Sequence, residues 1–242
     1  MDYNFSILEN GCREYGISLD ERQKQQFIRY YELLVEWNKV MNLTGITEFE
    51  EVLLKHFTDS LSIAKAVDLK EINSCIDVGT GAGFPGIPLK IAFPHLQVTL
   101  LDSLNKRLKF LDQVILELNL DGIETVHGRA EDGARKAQYR EQYDLSVSRA
   151  VSRLASLCEY CMPYVREGGC FVSYKSGKAA EEIQEAGKAI QVLGGKLIKE
   201  ENFCLPETDM ERALVVIRKV KPTPKKYPRK AGIPTKEPIL QQ

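Results

Sequence analysis

A chain of 242 residues, 43% hydrophobic and 28% charged with a formal net charge of −1, has a globular composition and the length for one α/β domain with an added element at an end. No stretch approaches the roughly 20 apolar residues that span a bilayer, and the opening MDYNFSILEN has neither the basic start nor the apolar core of a secretory leader, so no membrane or export role is expected. The six cysteines (Cys12, Cys75, Cys158, Cys161, Cys170 and Cys204) are scattered, five of them in surroundings where a free thiol behaves as a small hydrophobe, and a reduced, cytoplasmic location is expected.

Ser18 followed by Glu21 has the spacing of a capping box, and Phe27, Tyr31, Leu34 and Trp37 then recur on one helical face, which predicts a helix over about 19–38. A second helical pattern covers 49–67. Short apolar runs follow at 74–78, 97–101, 123–126 and 143–147 with helical sequence between them, the alternation of a parallel sheet. A run at 170–174 continues the series, and a helix over about 178–193 ends at Gly194-Gly195. Strands at 197–204 and 213–220 have no helical pattern between them and are expected to pair as an antiparallel hairpin at one edge. The expected fold is therefore α/β: an N-terminal helical extension over 1–70, a Rossmann-like seven-stranded domain over 71–220, and a tail over 221–242. Pro222, Pro224, Pro228, Pro234 and Pro238 should keep that tail extended over the surface. From Lys219 onward the chain has seven basic residues against one acid, so its positive charge gathers at this end.

The first strand runs into Asp77-Val78-Gly79-Thr80-Gly81-Ala82-Gly83-Phe84-Pro85-Gly86. Glycines there let backbone approach a ligand, and the helix that follows offers N–H groups to an anion such as the carboxylate of a methionine moiety. Gly81, Gly83 and Gly86 also match the dinucleotide pattern G-x-G-x-x-G, so a nicotinamide-dependent oxidoreductase and a plain structural turn stay open. Asp77 favours a sulfonium nucleoside over a pyrophosphate, because its charge attracts an ammonium and repels a phosphate. Asp102 ends the second strand, with Ser103 beside it, where a carboxylate can accept ribose hydroxyls of either cofactor. Ala130 and Glu131 follow the third strand at the same edge and are candidates for an adenine. Arg149 ends the fourth strand, where a guanidinium can reach a phosphate or a base.

Five segments taken in order resemble one family, the ribosomal small-subunit methyltransferase G, also called glucose-inhibited division protein B. They are 37–44 (WNKVMNLT), 55–61 (KHFTDSL), 77–88, 144–151 (DLSVSRAV) and 226–232 (KYPRKAG), and the likeness covers nearly the whole chain. The resemblance implies a class I methyltransferase fold, S-adenosyl-L-methionine as methyl donor, and N7 of a guanine in 16S ribosomal RNA as acceptor, in naked RNA or the small subunit. It implies a cofactor site at Gly79, Phe84, Ala130, Glu131 and Arg149, and a monomer. One departure is Lys175-Ser176-Gly177, where related sequences often place glycine directly after the lysine.

Guanine N7 has an in-plane lone pair and no proton, so no general base is expected and catalysis rests on alignment and exclusion of water. His56 with Asp59 is accordingly read as structural. Ser148-Arg149-Ala150-Val151 lacks the Asn/Asp-Pro-Pro-aromatic motif of enzymes that methylate exocyclic amines. Cys158 and Cys161 form a lone C-x-x-C, which reads as core rather than zinc. Lys225, Lys226, Arg229 and Lys230, with Tyr227 able to stack on a base, are expected to contact RNA together with Arg149 and Lys175. The readings that compete are the oxidoreductase and a non-catalytic RNA-binding module that retains a nucleotide pocket.

Overall fold

The structure, a computed structural model, describes residues 3–177 and 179–241. The chain opens with α1 (Ser6–Glu14) and α2 (Glu21–Met41), then passes through α3 (Phe49–Val52), a π turn (Leu53–Thr58), α4 (Asp59–Leu61) and a 3-10 turn (Ser62–Lys65). Alternation follows: β1 (Ser74–Val78), α5 (Gly86–Ala92), β2 (Gln97–Asp102), α6 (Asn105–Glu117), β3 (Ile123–His127), α7 (Ala130–Gly133), β4 (Tyr143–Ser148) and α8 (Leu154–Cys161). The last elements are β5 (Val165–Ser176), α9 (Ala180–Val192), β6 (Gly195–Cys204), β7 (Glu211–Lys219) and α10 (Ile233–Lys236). Among the described residues no helix is long and apolar enough to cross a membrane.

The sheet has seven strands in the order β3-β2-β1-β4-β5-β7-β6. The first five run parallel, and β7 is antiparallel to both β5 and β6. The expected hairpin forms, but β7 inserts against β5 and leaves β6 as the edge. Strand residues alternate between two cores, as the two-residue period of a strand requires. Cys75, Leu100, Leu145, Val147 and Tyr174 face α1, α2, α5 and α6. Ile76, Val78, Leu101 and Phe171 face α8 and α9. Chain order reverses between β1 and β4, the place where open α/β sheets leave a crevice beyond their strand tips.

Several local expectations change. The capping box of α2 is Asp20 with Gln23, not Ser18 with Glu21, because Asp20 accepts the Gln23 N–H at 2.7 Å while the Gln23 side chain accepts the Asp20 N–H at 2.8 Å. The helical pattern over 49–67 is interrupted by the π turn, and α1 is an element the periodicity did not announce. The expected start of the ninth helix at Lys178 lies outside the described residues.

The tail does not stay extended over the surface. Its prolines permit a fold-back in which buried partners supply the hydrogen bonds that a strand would have supplied. Arg140 donates to the carbonyls of Thr223 and Tyr227 (2.7 and 3.0 Å), Ser156 donates to Pro234 O (2.8 Å), and α10 closes the segment. Arg229 Nη2 meets Glu159 Oε2 at 2.7 Å, and the Glu159 side chain is only 1% exposed. Arg229→Ala therefore leaves a buried carboxylate without its cation, and urea unfolding should show a loss of about 3–5 kcal/mol. Glu159→Leu combined with Arg229→Met should recover most of it; a single variant as stable as the parent would show that the pair does not hold the tail.

Candidate functional site

The turn after β1 carries positive φ at Gly79 (75°), Gly81 (62°) and Gly83 (99°), a region that side chains disfavour. Two carboxylates hold it. Asp77 is wholly buried beneath the turn, and its Oδ2 accepts the Thr80 hydroxyl (2.7 Å) and the Gly86 N–H (2.9 Å). Its Oδ1 has no partner among the described residues, and burial pushes the carboxyl up to about 6. Asp102, from the tip of β2, accepts the Gly81 N–H on Oδ2 (2.9 Å) and the Leu104 N–H on Oδ1 (2.8 Å).

Beyond this turn lies a cleft of about 300 Å³ lined by Gly79, Asp102, Ser103, Arg107, Gly128, Arg129, Ala130, Glu131, Ser148, Ala150, Ser152 and Tyr160 among others. The sequence-derived residues Gly79, Asp102, Ser103, Ala130 and Glu131 meet here. Asp77, Gly81, Gly83, Phe84 and Arg149 do not line it. Asp77 braces the turn from beneath, with Oδ2 bound to the turn's own groups. Gly83 serves packing: a Cβ there would stand 2.6 Å from the Tyr30 hydroxyl. Phe84 is buried, its ring stacked on His56 (4.5 Å between centroids) and covered by the Arg149 guanidinium at 5.2 Å. The Gly86 N–H at the start of α5, expected to face an anionic ligand, belongs to Asp77.

The folded-back tail braces two residues that line this cleft, Glu131 and Tyr160. Gly232 donates its N–H to Glu131 Oε1 at 2.7 Å, and the Tyr160 and Thr235 hydroxyls are 2.6 Å apart. The sequence analysis did not select Tyr160, whose hydroxyl meets a partner 75 positions away. Gly128, Arg129 and Ser148, which it did not single out, also line the cleft, and all three adjoin strand ends that the sequence had marked.

A second cavity, of about 450 Å³, shares Ala150 and Ser152 with the cleft and is lined also by Asp59, Arg149, Arg153, Tyr174, Lys175, Ser176, Glu182 and Arg212. Four cations against two carboxylates make it basic. Arg149 is anchored inward: Nη1 donates to Lys55 O (3.1 Å) and Asp59 Oδ2 (3.2 Å). Arg212 Nε reaches the other Asp59 oxygen at 3.2 Å. Burial raises the Asp59 carboxyl above its ordinary range, against the pull of Arg149 and Arg212. The carbonyls that Arg149 reaches lie in the π turn, so the break in the helical pattern coincides with this contact. Asp59 and Arg212 are site residues that the sequence reading did not select; the KHFTDSL segment held the only signal.

Of the RNA-facing candidates, Arg149 and Lys175 line the second cavity, and Lys225, Lys226 and Lys230 are exposed on the tail. Tyr227 is half-buried against the core around α8. Arg229 is engaged within the protein: Nε and Nη2 donate to the Glu159 carboxylate, and Nη2 also to Glu237 O.

His56 is held as a neutral ring. An arginine can only donate, so Nδ1 accepts from Arg149 Nη2 (3.2 Å), and Nε2–H is left to donate to the Thr44 hydroxyl at 2.9 Å. Desolvation first, then the Arg149 charge, pull its pKa down to about 4. Between pH 6.5 and 4 the unfolded chain binds the proton that the folded ring refuses, so this residue's contribution to stability falls as pH falls, by about 3 kcal/mol in all. Asp77 acts in the opposite direction, since its raised carboxyl protonates first in the folded state. The stability gap between wild type and His56→Gln should therefore shrink by about 3 kcal/mol from pH 7 to pH 4; a gap independent of pH in chemical unfolding would contradict the neutral ring.

Comparison with known proteins now bears on the site. A family model described as rRNA small subunit methyltransferase G matches residues 23–210. The ribosomal RNA small subunit methyltransferase G of Lachnoclostridium phytofermentans is 56% identical over 98% of this chain and 98% of its own length. The protein of the same name from Alkaliphilus metalliredigens is 54% identical, over 96% of this chain and 98% of that one. Among solved structures, a SAM-dependent O-methyltransferase from Thermotoga maritima superposes with a TM-score of 0.52 at 18% identity, covering 78% of this chain and 71% of that chain, a likeness of fold alone. With a family model matched over most of its length and relatives above half identity end to end, this chain belongs to the rRNA small subunit methyltransferase G family.

Proposed function

We propose that the chain transfers a methyl group from S-adenosylmethionine to N7 of a guanine in 16S ribosomal RNA, as a monomer in the cytoplasm. Family membership supports the class of substrate. The observation that carries the reading at the level of the site is the cleft between the glycine turn, Asp102 and the 128–131 segment, opening beside a basic cavity.

The residues present fit the methyl donor. A Cβ built at Gly81 or Gly128 would meet nothing within 4 Å, and one at Gly79 only Ala150 Cβ at 3.8 Å, so a ligand can approach this backbone closely. Asp102 uses two acceptor positions on backbone N–H groups, with Arg107 more distant at 3.4 Å. A carboxylate offers about four, which leaves acceptors for ribose hydroxyls. Gly79, Ala130 and Glu131 would hold the nucleoside from the turn and from the third strand. The same geometry disfavours a dinucleotide, because the N–H that opens α5 is already bound by a buried carboxylate and is not offered to a pyrophosphate.

S-adenosylmethionine, when bound, supplies a methyl group activated by a cationic sulfur. The protein's part is to orient and to exclude water. No proton leaves guanine N7 when it is alkylated, and neither His56 nitrogen is available as a base, since both are engaged with Arg149 and Thr44. Phe84 and Arg149 act here as supports of the turn and of the cavity wall. Exposed Lys225, Lys226 and Lys230 are placed to meet RNA phosphates, and the packed remainder of the tail, with Tyr227 and Arg229, keeps the cleft wall in place.

The reading is tested by incubating the chain and S-adenosylmethionine with small-subunit ribosomal RNA that lacks the modification, then digesting to nucleosides. About one 7-methylguanosine should appear per RNA. Methyl on another atom, or no transfer to either naked RNA or assembled subunits, would contradict it.

A further inference from the structure

The second cavity shares Ala150 and Ser152 with the cleft, and the side chains of Arg149, Lys175, Glu182 and Arg212 in its lining are held by hydrogen bonds within the protein. We propose that it is the pocket for the acceptor guanine, and that Glu182 reads the base through its free carboxylate oxygen. This rests on the methyltransferase reading for the identity of the base.

Three observations carry it. The shared wall means that a base in this cavity borders on the cleft, so its N7 and O6 edge can face a methyl group there. Glu182 lines this cavity and not the cleft, so a base that turns N7 toward the cleft can turn its N1 and N2 edge to this carboxylate. That edge of guanine presents two N–H donors, whereas adenine presents an acceptor at N1, so a carboxylate there selects guanine. The Glu182 carboxylate is held in place on one oxygen only. Oε2 takes the Lys175 ammonium at 2.7 Å and the Leu154 N–H at 2.9 Å, while Oε1 has no donor among the described residues. Lys175 is itself fixed by Ser152 O at 2.9 Å, so the pair is tied to the wall between the two cavities. Exposed Arg153 at the rim is available to the phosphate that accompanies the base.

Glu182 has a consequence for rate as well as for recognition. As N7 takes up the methyl group, the base acquires positive charge and its N1–H and N2–H become stronger donors. A hydrogen bond to a fixed carboxylate then strengthens along the reaction, and that difference between ground and transition states is what accelerates the step. Lys175 acts through Glu182 and is a positioning residue, which gives the Lys175-Ser176-Gly177 segment a use that does not depend on glycine following the lysine.

The test is equilibrium binding of mononucleotides, followed by saturation-transfer NMR, and needs no methyl transfer. Guanosine monophosphate should bind wild type at least about tenfold more tightly than 1-methylguanosine monophosphate, whose N1 has no proton, with inosine monophosphate between them. Glu182→Gln should weaken guanosine monophosphate about ten- to hundredfold and leave adenosine monophosphate unchanged. Equal binding of the three purines by wild type, or a Glu182→Gln variant with an unaltered preference, overturns the assignment. The wild-type comparison stands even if the variant does not fold. If the guanine preference is found and the chain methylates no RNA, it is the proposed function that fails and not the pocket.

Discussion

The Asp102 carboxylate joins two strand tips, and the cleft exists because it does. A turn with three left-handed glycines has little to hold it by itself, since glycine contributes no side chain and loses the most freedom on ordering. Asp102 captures the Gly81 N–H from the neighbouring strand while Asp77 captures the Thr80 hydroxyl and Gly86 N–H from beneath. Hydrogen bonds to an ionised group contribute about 1.5–3 kcal/mol each, enough to fix a single turn conformation. The backbone stays close to open space at Gly79 and Gly81 because acids, not bulky side chains, restrain it.

The N-terminal helices extend the same logic to the other side of the sheet. Tyr30 from α2 donates to Ala82 O at 2.5 Å, and Phe57 and His56 lie against Phe84, so the turn is wedged by an aromatic cluster. Arg149 links that cluster to Asp59 and thence to Arg212 on β7. The cleft wall and the basic cavity thus depend on segments at opposite ends of the chain, with the tail bracing Glu131, Glu159 and Tyr160 from behind. These contacts account for why the helical extension and the tail accompany the sheet.

Much of this was legible from local pattern. Strand periodicity and glycine punctuation placed all seven strands, with β1 recovered at its two ends, and the absence of helix before the last strand announced its reversed direction. The lining of the cleft was legible at and just beyond strand ends, as with Asp102, Ser103, Ala130 and Glu131. It was illegible where function is decided by a distant partner. Arg229 looks like a surface cation until Glu159 is found beneath it, and the bonds from Asp77 to Thr80 and Gly86 are not visible in the sequence. Asp59, Glu182 and Arg212 carry no spacing signal at all, because their meeting is made by α4, α9 and β7 in three dimensions. The π turn itself departs from the 3.6-residue repeat and cannot be read from periodicity.

The most direct measurement is a calorimetric titration of S-adenosylmethionine into wild type and Asp102→Ala. With both a stapled turn and a ribose acceptor lost, the variant should bind about ten- to hundredfold more weakly while remaining folded. An affinity equal to that of wild type would show that the cleft at the tip of β2 is not where the cofactor sits.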